Sequence, residues 1–90
     1  MMRANPAPNM NGLQGKHICI TGRLDRGKRD EVFGMIIARG GIRDNYVYPY
    51  TDFLVVGDIS RHNGSTRKLR RAIEIGTAII SEDELFSMFC

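Results

Sequence analysis

Apolar and polar positions change their spacing several times along the chain, and each change marks an element. His17-Ile18-Cys19-Ile20-Thr21 is a short, mostly apolar run ending in Thr-Gly, the pattern of a strand buried on both faces. A turn-rich basic stretch, residues 22–28, follows. From about Arg29 the spacing lengthens, and Val32, Phe33, Ile36 and Ile37 form a helical stripe that stops at Gly40-Gly41. Residues 42–45 suit a short strand and residues 46–51, with Pro49, a loop. Phe53-Leu54-Val55-Val56 before Gly57 is the clearest strand of the chain. After a polar loop over residues 58–64, Ser65 or Thr66 can cap a helix whose inner face is Leu69, Ala72 and Ile73 and whose stop is Gly76. Ala78-Ile79-Ile80 is a last strand. Ser81, with Glu84 at the capping-box position, opens a last helix through Leu85, Phe86 and Phe89.

The predicted order is βαββαβα. Strands alternating with helices point to an α/β fold with a mainly parallel sheet covered on both faces. Residues 1–12 carry Pro6, Pro8, Gly12 and three Asn without periodicity and read as a flexible tail, leaving residues 13–90 as one domain. A chain of 90 residues makes one modest core and has no room for a separate catalytic domain. No apolar run approaches the roughly 18 residues that span a bilayer, and the N-terminus lacks a hydrophobic signal core. The reading is a soluble intracellular protein with no membrane partner, whether cytoplasmic, nucleoid-associated or nuclear.

A net charge of +3 says little, but its placement says more. Arg23, Arg26, Lys28 and Arg29 fall within seven residues that hold one acid, Asp25; Arg61, Arg67, Lys68, Arg70 and Arg71 fall within eleven that hold none. These two segments form either one anion-attracting face, if the fold joins them, or two unrelated solvated faces. The helix opening at Ser65-Thr66-Arg67-Lys68 breaks a local rule, because cations in a first turn oppose the helix dipole at roughly 0.3–1 kcal/mol each when exposed. A bound anion would supply the missing negative charge. Lys68, next to inward-facing Leu69, belongs at the rim of that face. A solvated basic helix, partly neutralised by Glu74, is the plainer alternative.

The stretch Gly22-Arg23-Leu24-Asp25-Arg26-Gly27-Lys28-Arg29 satisfies G-x-x-x-x-G-K after a strand and before a helix. Arg29 stands where a nucleotide-hydrolysing loop needs a hydroxyl to hold magnesium, so nucleotide hydrolysis is set aside. What survives is more general: a Thr21 hydroxyl and a Gly22 amide at the end of a buried strand can both donate to a phosphate oxygen, or they merely end a strand and turn. Cys19 reads as a small buried hydrophobe, Cys90 has no partner at useful spacing, and His17 and His62 have no ligand or acid at useful spacing. No metal site, catalytic triad or cofactor is predicted.

Taken in order, these landmarks resemble a BRCT domain, over about Leu13 to Phe89. Gly15-Lys16 leads into the strand ending Ile20-Thr21-Gly22, Arg29-Asp30-Glu31 opens the first helix, and Ala38-Arg39-Gly40-Gly41 closes it. Thr51-Asp52-Phe53-Leu54-Val55-Val56-Gly57, Lys68-Leu69 with Ala72, Ile75-Gly76-Thr77 and Ile79-Ile80-Ser81 complete the set. The nearest flavour is the BRCT domain of bacterial NAD-dependent DNA ligases and of the clamp-loader large subunit. The resemblance implies a four-stranded parallel sheet with one helix on one side and two on the other. It also implies a phosphate pocket in which Thr21, Gly22 and Lys68 occupy the family's positions, with Arg29 matching the type that binds 5′-phosphorylated DNA ends. Leu85 and Phe86 stand near the place of the family's last-helix aromatic, and Pro49-Tyr50 where DNA-binding relatives often have lysines. The chain holds one repeat, whereas phosphopeptide readers pair two.

The sequence therefore predicts a non-enzymatic module whose Thr21, Gly22, Arg29 and Lys68 hold a phosphate, the 5′-phosphate of a DNA end or one on a phosphorylated protein. Arg23, Arg26, Lys28, Arg67 and Arg71 would contact the flanking DNA backbone. The alternative is a protein-interaction module that recruits a repair or replication partner through a phosphopeptide or an apolar surface, its cations only solvating. The oligomeric state is left open.

Overall fold

Burial alternates between the two sides of the central strand, and that alternation sorts the whole domain into layers. The structure, a computed structural model, describes residues 12–89; the predicted tail falls almost wholly outside the described residues, as does Cys90. Strand β1 (His17–Thr21) is flanked by β2 (Ile42–Arg43) and β3 (Phe53–Val56), and β4 (Ala78–Ser81) pairs with β3. The order is β2-β1-β3-β4 and all three pairings are parallel. Three α-helices connect and follow the strands: α1 (Arg29–Ala38), α2 (Arg67–Ile75) and α3 (Glu82–Ser87). This is the predicted βαββαβα order.

Ile18, Ile20 and Val55 turn to one face and pack with Val32, Phe33 and Ile36 of α1 and Leu85 of α3. Cys19 and Leu54 turn to the other and pack with Val47 and Ala72, with Leu69 and Ile75 of α2 beside them. Period-2 alternation thus places one helix on one side and two on the other. The same alternation puts the side chain of Thr21, two residues after Cys19, on the α2 face. The strand order reverses direction between β1 and β3, the position at which parallel sheets open a crevice at their carboxyl ends.

Local chemistry sets the helix boundaries. The Ser81 hydroxyl accepts from Glu84 N–H at 3.0 Å and the Glu84 carboxylate accepts from Ser81 N–H at 2.8 Å, the predicted capping box of α3. Thr66, rather than Ser65, caps α2: its Oγ1 accepts from Leu69 N–H at 3.1 Å. Gly76 closes α2 in the left-handed region at φ 81°. Ser60–His62 forms a 3-10 turn within the predicted loop, and β2 is shorter than predicted.

Two predicted core residues are not core. Ile37 is 54% exposed and Ile73 is 66% exposed. Each follows the residue at the centre of its helix's buried arc, Ile36 and Ala72, and one residue turns a helix by about 100°, enough to leave the arc. The inner face of α2 is Leu69, Ala72 and Ile75. Ile36→Ala should accordingly destabilise the domain by about 2–5 kcal/mol, whereas Ile37→Ala should stay within about 0.5 kcal/mol of wild type. Urea unfolding midpoints of the two variants check this, and similar losses for both would contradict the assignment.

Candidate functional site

Backbone carbonyls along β1 point alternately towards its two neighbours. On the β3 side, His17 and Thr21 O accept from Asp52 N–H at 2.8 Å and Gly57 N–H at 2.9 Å. On the β2 side, Lys16 and Ile18 O accept from Ile42 N–H at 2.8 Å and Asp44 N–H at 2.9 Å. The next carbonyl on that side is Ile20 O, where β2 has already ended. Lys68 Nζ fills the place, donating to Ile20 O at 3.0 Å. Lys68 lies four residues before Ala72, one turn along the same inward face of α2, so its stem runs under the helix towards β1. At Gly22 O, two residues further on, the Arg29 guanidinium donates at 3.5 Å. Two cations from different helices therefore converge on the end of β1, one on its last open-edge carbonyl and one on the turn that follows.

Hydroxyls line the same place. Thr21 Oγ1 donates to Thr66 Oγ1 at 2.9 Å, joining the end of β1 to the cap of α2. Around them lies an open cavity of about 760 Å³ whose walls include Thr21, Gly22, Ser65 and Thr66. Its charged lining is Arg23, Arg29, Arg61, Arg67, Lys68 and Arg70, against a single carboxylate among the described residues, Asp58. Asp58 is turned to its own loop, its Oδ1 accepting from Ser60 N–H at 2.9 Å; this bond and the Ser60 hydroxyl hold its carboxyl below the usual range. Burial pushes the Lys68 ammonium below the ordinary lysine value, and the neighbouring Arg29 and Arg43 charges add to that. Burial likewise pushes the Cys19 thiol up. An uncompensated, partly desolvated ammonium with two donors left over is suited to an anion.

Two loops hold the cavity's shape. Arg23 and Asp58 form an antiparallel bridge, with Arg23 N–H to Asp58 O at 2.9 Å and Asp58 N–H to Arg23 O at 2.8 Å. The approach needs glycine twice. A Cβ on Gly57 would strike the Arg23 carbonyl, and one on Gly22, whose φ is +84°, would lie 2.8 Å from Ile59 Cγ2 and 3.0 Å from Asp58 O. From the other face, the carboxylate of Glu82, at the start of α3, accepts from Asp25 and Arg26 N–H at 2.9 and 2.8 Å.

Thr21, Gly22, Arg23, Arg29, Arg67 and Lys68 all line this one cavity. Lys28 lines an adjoining cavity of about 410 Å³ that shares Gly22, Arg23 and Arg29 with it. Arg26 stands apart, bonded to Asp83 at 2.6 Å and lying over the Phe86 ring at 4.8 Å. Arg71 faces elsewhere too, towards Glu74 at 3.5 Å and the Val47 carbonyl at 3.4 Å. Sequence reasoning left Arg61, Arg70, Ser65 and Thr66 out of the site. The acid-free run over residues 61–71 was the available signal for the two arginines. Nothing local reveals that Thr66 meets Thr21, 45 positions away. Among the described residues no group of three or more His, Cys, Asp or Glu could hold a metal, and no helix is long and apolar enough to cross a membrane.

Comparison with known proteins places the chain in a family context. The family model of the BRCA1 C Terminus (BRCT) domain matches residues 8–89. The chain is 37% identical over 78 residues to a DNA ligase of Neisseria gonorrhoeae (strain NCCP11945), covering 87% of the chain and 9% of the ligase. It is 41% identical over 75 residues to a DNA ligase of Prochlorococcus marinus (strain NATL1A), covering 83% and 10%, and 34% identical over 76 residues to one of Brucella ovis, covering 84% and 10%. The chain thus spans about a tenth of the length of these relatives.

An anion placed against Lys68 should raise its lowered pKa, because a neighbouring negative charge favours the ammonium. Carbon-detected NMR of the Lys68 side chain, titrated with and without sulfate, should show its midpoint below the ordinary lysine value and moving upward with the anion. A midpoint indifferent to sulfate would contradict the charge arrangement.

Proposed function

Because the chain belongs to the BRCT domain family, we propose that it is a phosphate-recognising binding module of DNA repair or replication, and that its cavity takes the 5′-phosphate of a DNA end. The carrying observation is the convergence of Lys68, on the open edge of β1, and Arg29, on the Gly22 turn that follows it, beside the Thr21 and Thr66 hydroxyls. A terminal phosphate monoester carries nearly two charges and three acceptor oxygens, and these donors and charges complement it. Arg23, Arg61, Arg67 and Arg70 line the walls around that point and would meet flanking backbone phosphates, with Lys28 reached through the adjoining cavity. The DNA ligase relatives are proteins in which a module recognising DNA ends has an evident use. The role is binding; no catalytic step falls to these residues.

The exposure of Ile73 at 66% and Ile79 at 43% favours a second reading, docking of a protein partner on the α2 and β4 side. It requires association that tolerates salt and is indifferent to Lys68.

Lys68→Ala should weaken binding of a 5′-phosphorylated duplex roughly ten- to hundredfold, the range of a charge-assisted hydrogen bond, and should erase the preference over the 5′-hydroxyl duplex. Affinity should fall steeply with salt and vary little with sequence. With pH it should rise through about 6, as the monoester gains its second charge, and fall at alkaline pH as Lys68 deprotonates, earlier than an ordinary lysine because burial lowers its pKa. Fluorescence anisotropy with labelled duplexes measures each of these. Equal affinity for the two duplexes at moderate salt would remove the phosphate assignment.

A further inference from the structure

The loop between β2 and β3 carries Tyr46, Tyr48 and Tyr50, which are all the tyrosines of the chain. Their rings form a row. Tyr46 meets Tyr48 edge-on with centroids 6.0 Å apart, Tyr48 stacks on Tyr50 at 5.2 Å, and Tyr50 meets His17 edge-on at 4.9 Å. The row is open to solvent, with Tyr48 39% and Tyr50 58% exposed.

This exposure belongs to a rigid loop. Val47 is fully buried in the α2-side core. Buried Asp44 clamps the loop's two ends, its Oδ1 lying 3.0 Å from His17 Nδ1 and its Oδ2 accepting from Thr51 Oγ1 at 2.7 Å. A turn with Pro49 in its second position closes through Thr51 N–H to Tyr48 O at 2.9 Å. Rings held this way lose little freedom when a flat ligand stacks on them.

Charge then selects the ligand. Tyr46 shares a small cavity with Arg67, Arg70, Arg71 and Glu74. Arg67 and Arg70 also line the phosphate cavity, so the cationic wall runs without a break from that cavity to the tyrosine row. Arg67 makes no side-chain hydrogen bond or ion pair of its own among the described residues. Aromatic faces beside spaced cations suit a polyanion that carries flat, unpaired rings.

We infer that Tyr46, Tyr48 and Tyr50 form a stacking surface for the unpaired bases of single-stranded nucleic acid, whose phosphates are held by Arg67, Arg70 and Arg71. The inference rests on the phosphate reading of the neighbouring cavity only for the kind of polymer that arrives there.

The chain has no tryptophan, so its tyrosine emission reports this loop alone. The test compares a 5′-hydroxyl oligothymidylate with an abasic strand of the same length, each titrated into the whole chain at low salt. The oligothymidylate should quench the emission and bind roughly five- to hundredfold more tightly than the abasic strand, the span expected for loss of one stacked base. Tyr48→Ala with Tyr50→Ala should bring its affinity down to the abasic level. Lys68→Ala should leave quenching intact while removing any 5′-phosphate preference, so the two sites can fail separately. Equal binding of the two strands, or unquenched emission, overturns the inference in the wild-type chain without recourse to a variant, and leaves the row to a protein partner.

Discussion

Strand β2 pairs with β1 over only two residues, and the carbonyl of Ile20 is consequently left facing a gap in the sheet. A buried carbonyl without a donor costs about 1–3 kcal/mol, so something must reach it, and the Lys68 ammonium does. Seated there, the charged group lies beneath α2, where burial strips part of its water and, with the nearby Arg29 and Arg43 charges, lowers its pKa. The carbonyl uses one of three donor positions and cannot neutralise the charge. A structural requirement of the sheet and a polarity suited to anions are therefore met by the same side chain.

The distribution of acids reinforces this. Helices α1 and α3 open with Asp30 and Glu31, and with Glu82, Asp83 and Glu84, where a carboxylate favours the helix dipole. Helix α2 opens with none and carries Arg67 and Lys68 instead. Nearby carboxylates are occupied: Glu82 holds the amides of the β1–α1 loop, Asp83 holds Arg26, and Asp58 is bonded to Ser60. The bridge between Arg23 and Asp58 then locks the two loops together around the cavity. Positive charge is concentrated in the cavity by keeping these three carboxylates on other tasks.

The α2 arginines extend this field past the cavity to the tyrosine loop. Phosphate recognition at the end of β1 and ring stacking beside α2 would use one continuous wall, with Arg67 and Arg70 common to both ends. The rings are held in place without any movement of the core, since Asp44, Val47 and Thr51 fix the loop that carries them.

Much of this was legible in the sequence because it rests on local periodicity and local capping. The four strands, the three helices, the Ser81 and Glu84 capping box and the two basic segments follow from spacing over a few residues. Ile37 and Ile73 were misplaced because spacing shows that a helix has an apolar stripe but not where a flat sheet cuts off its edge. Which segments meet was decided only by tertiary structure. The contact of Thr21 with Thr66, the seating of Lys68 on Ile20 and the diversion of Arg26 to Asp83 all depend on which segments the fold lays side by side. Those are properties of chain segments pairing across dozens of residues, and no window along the sequence contains both partners.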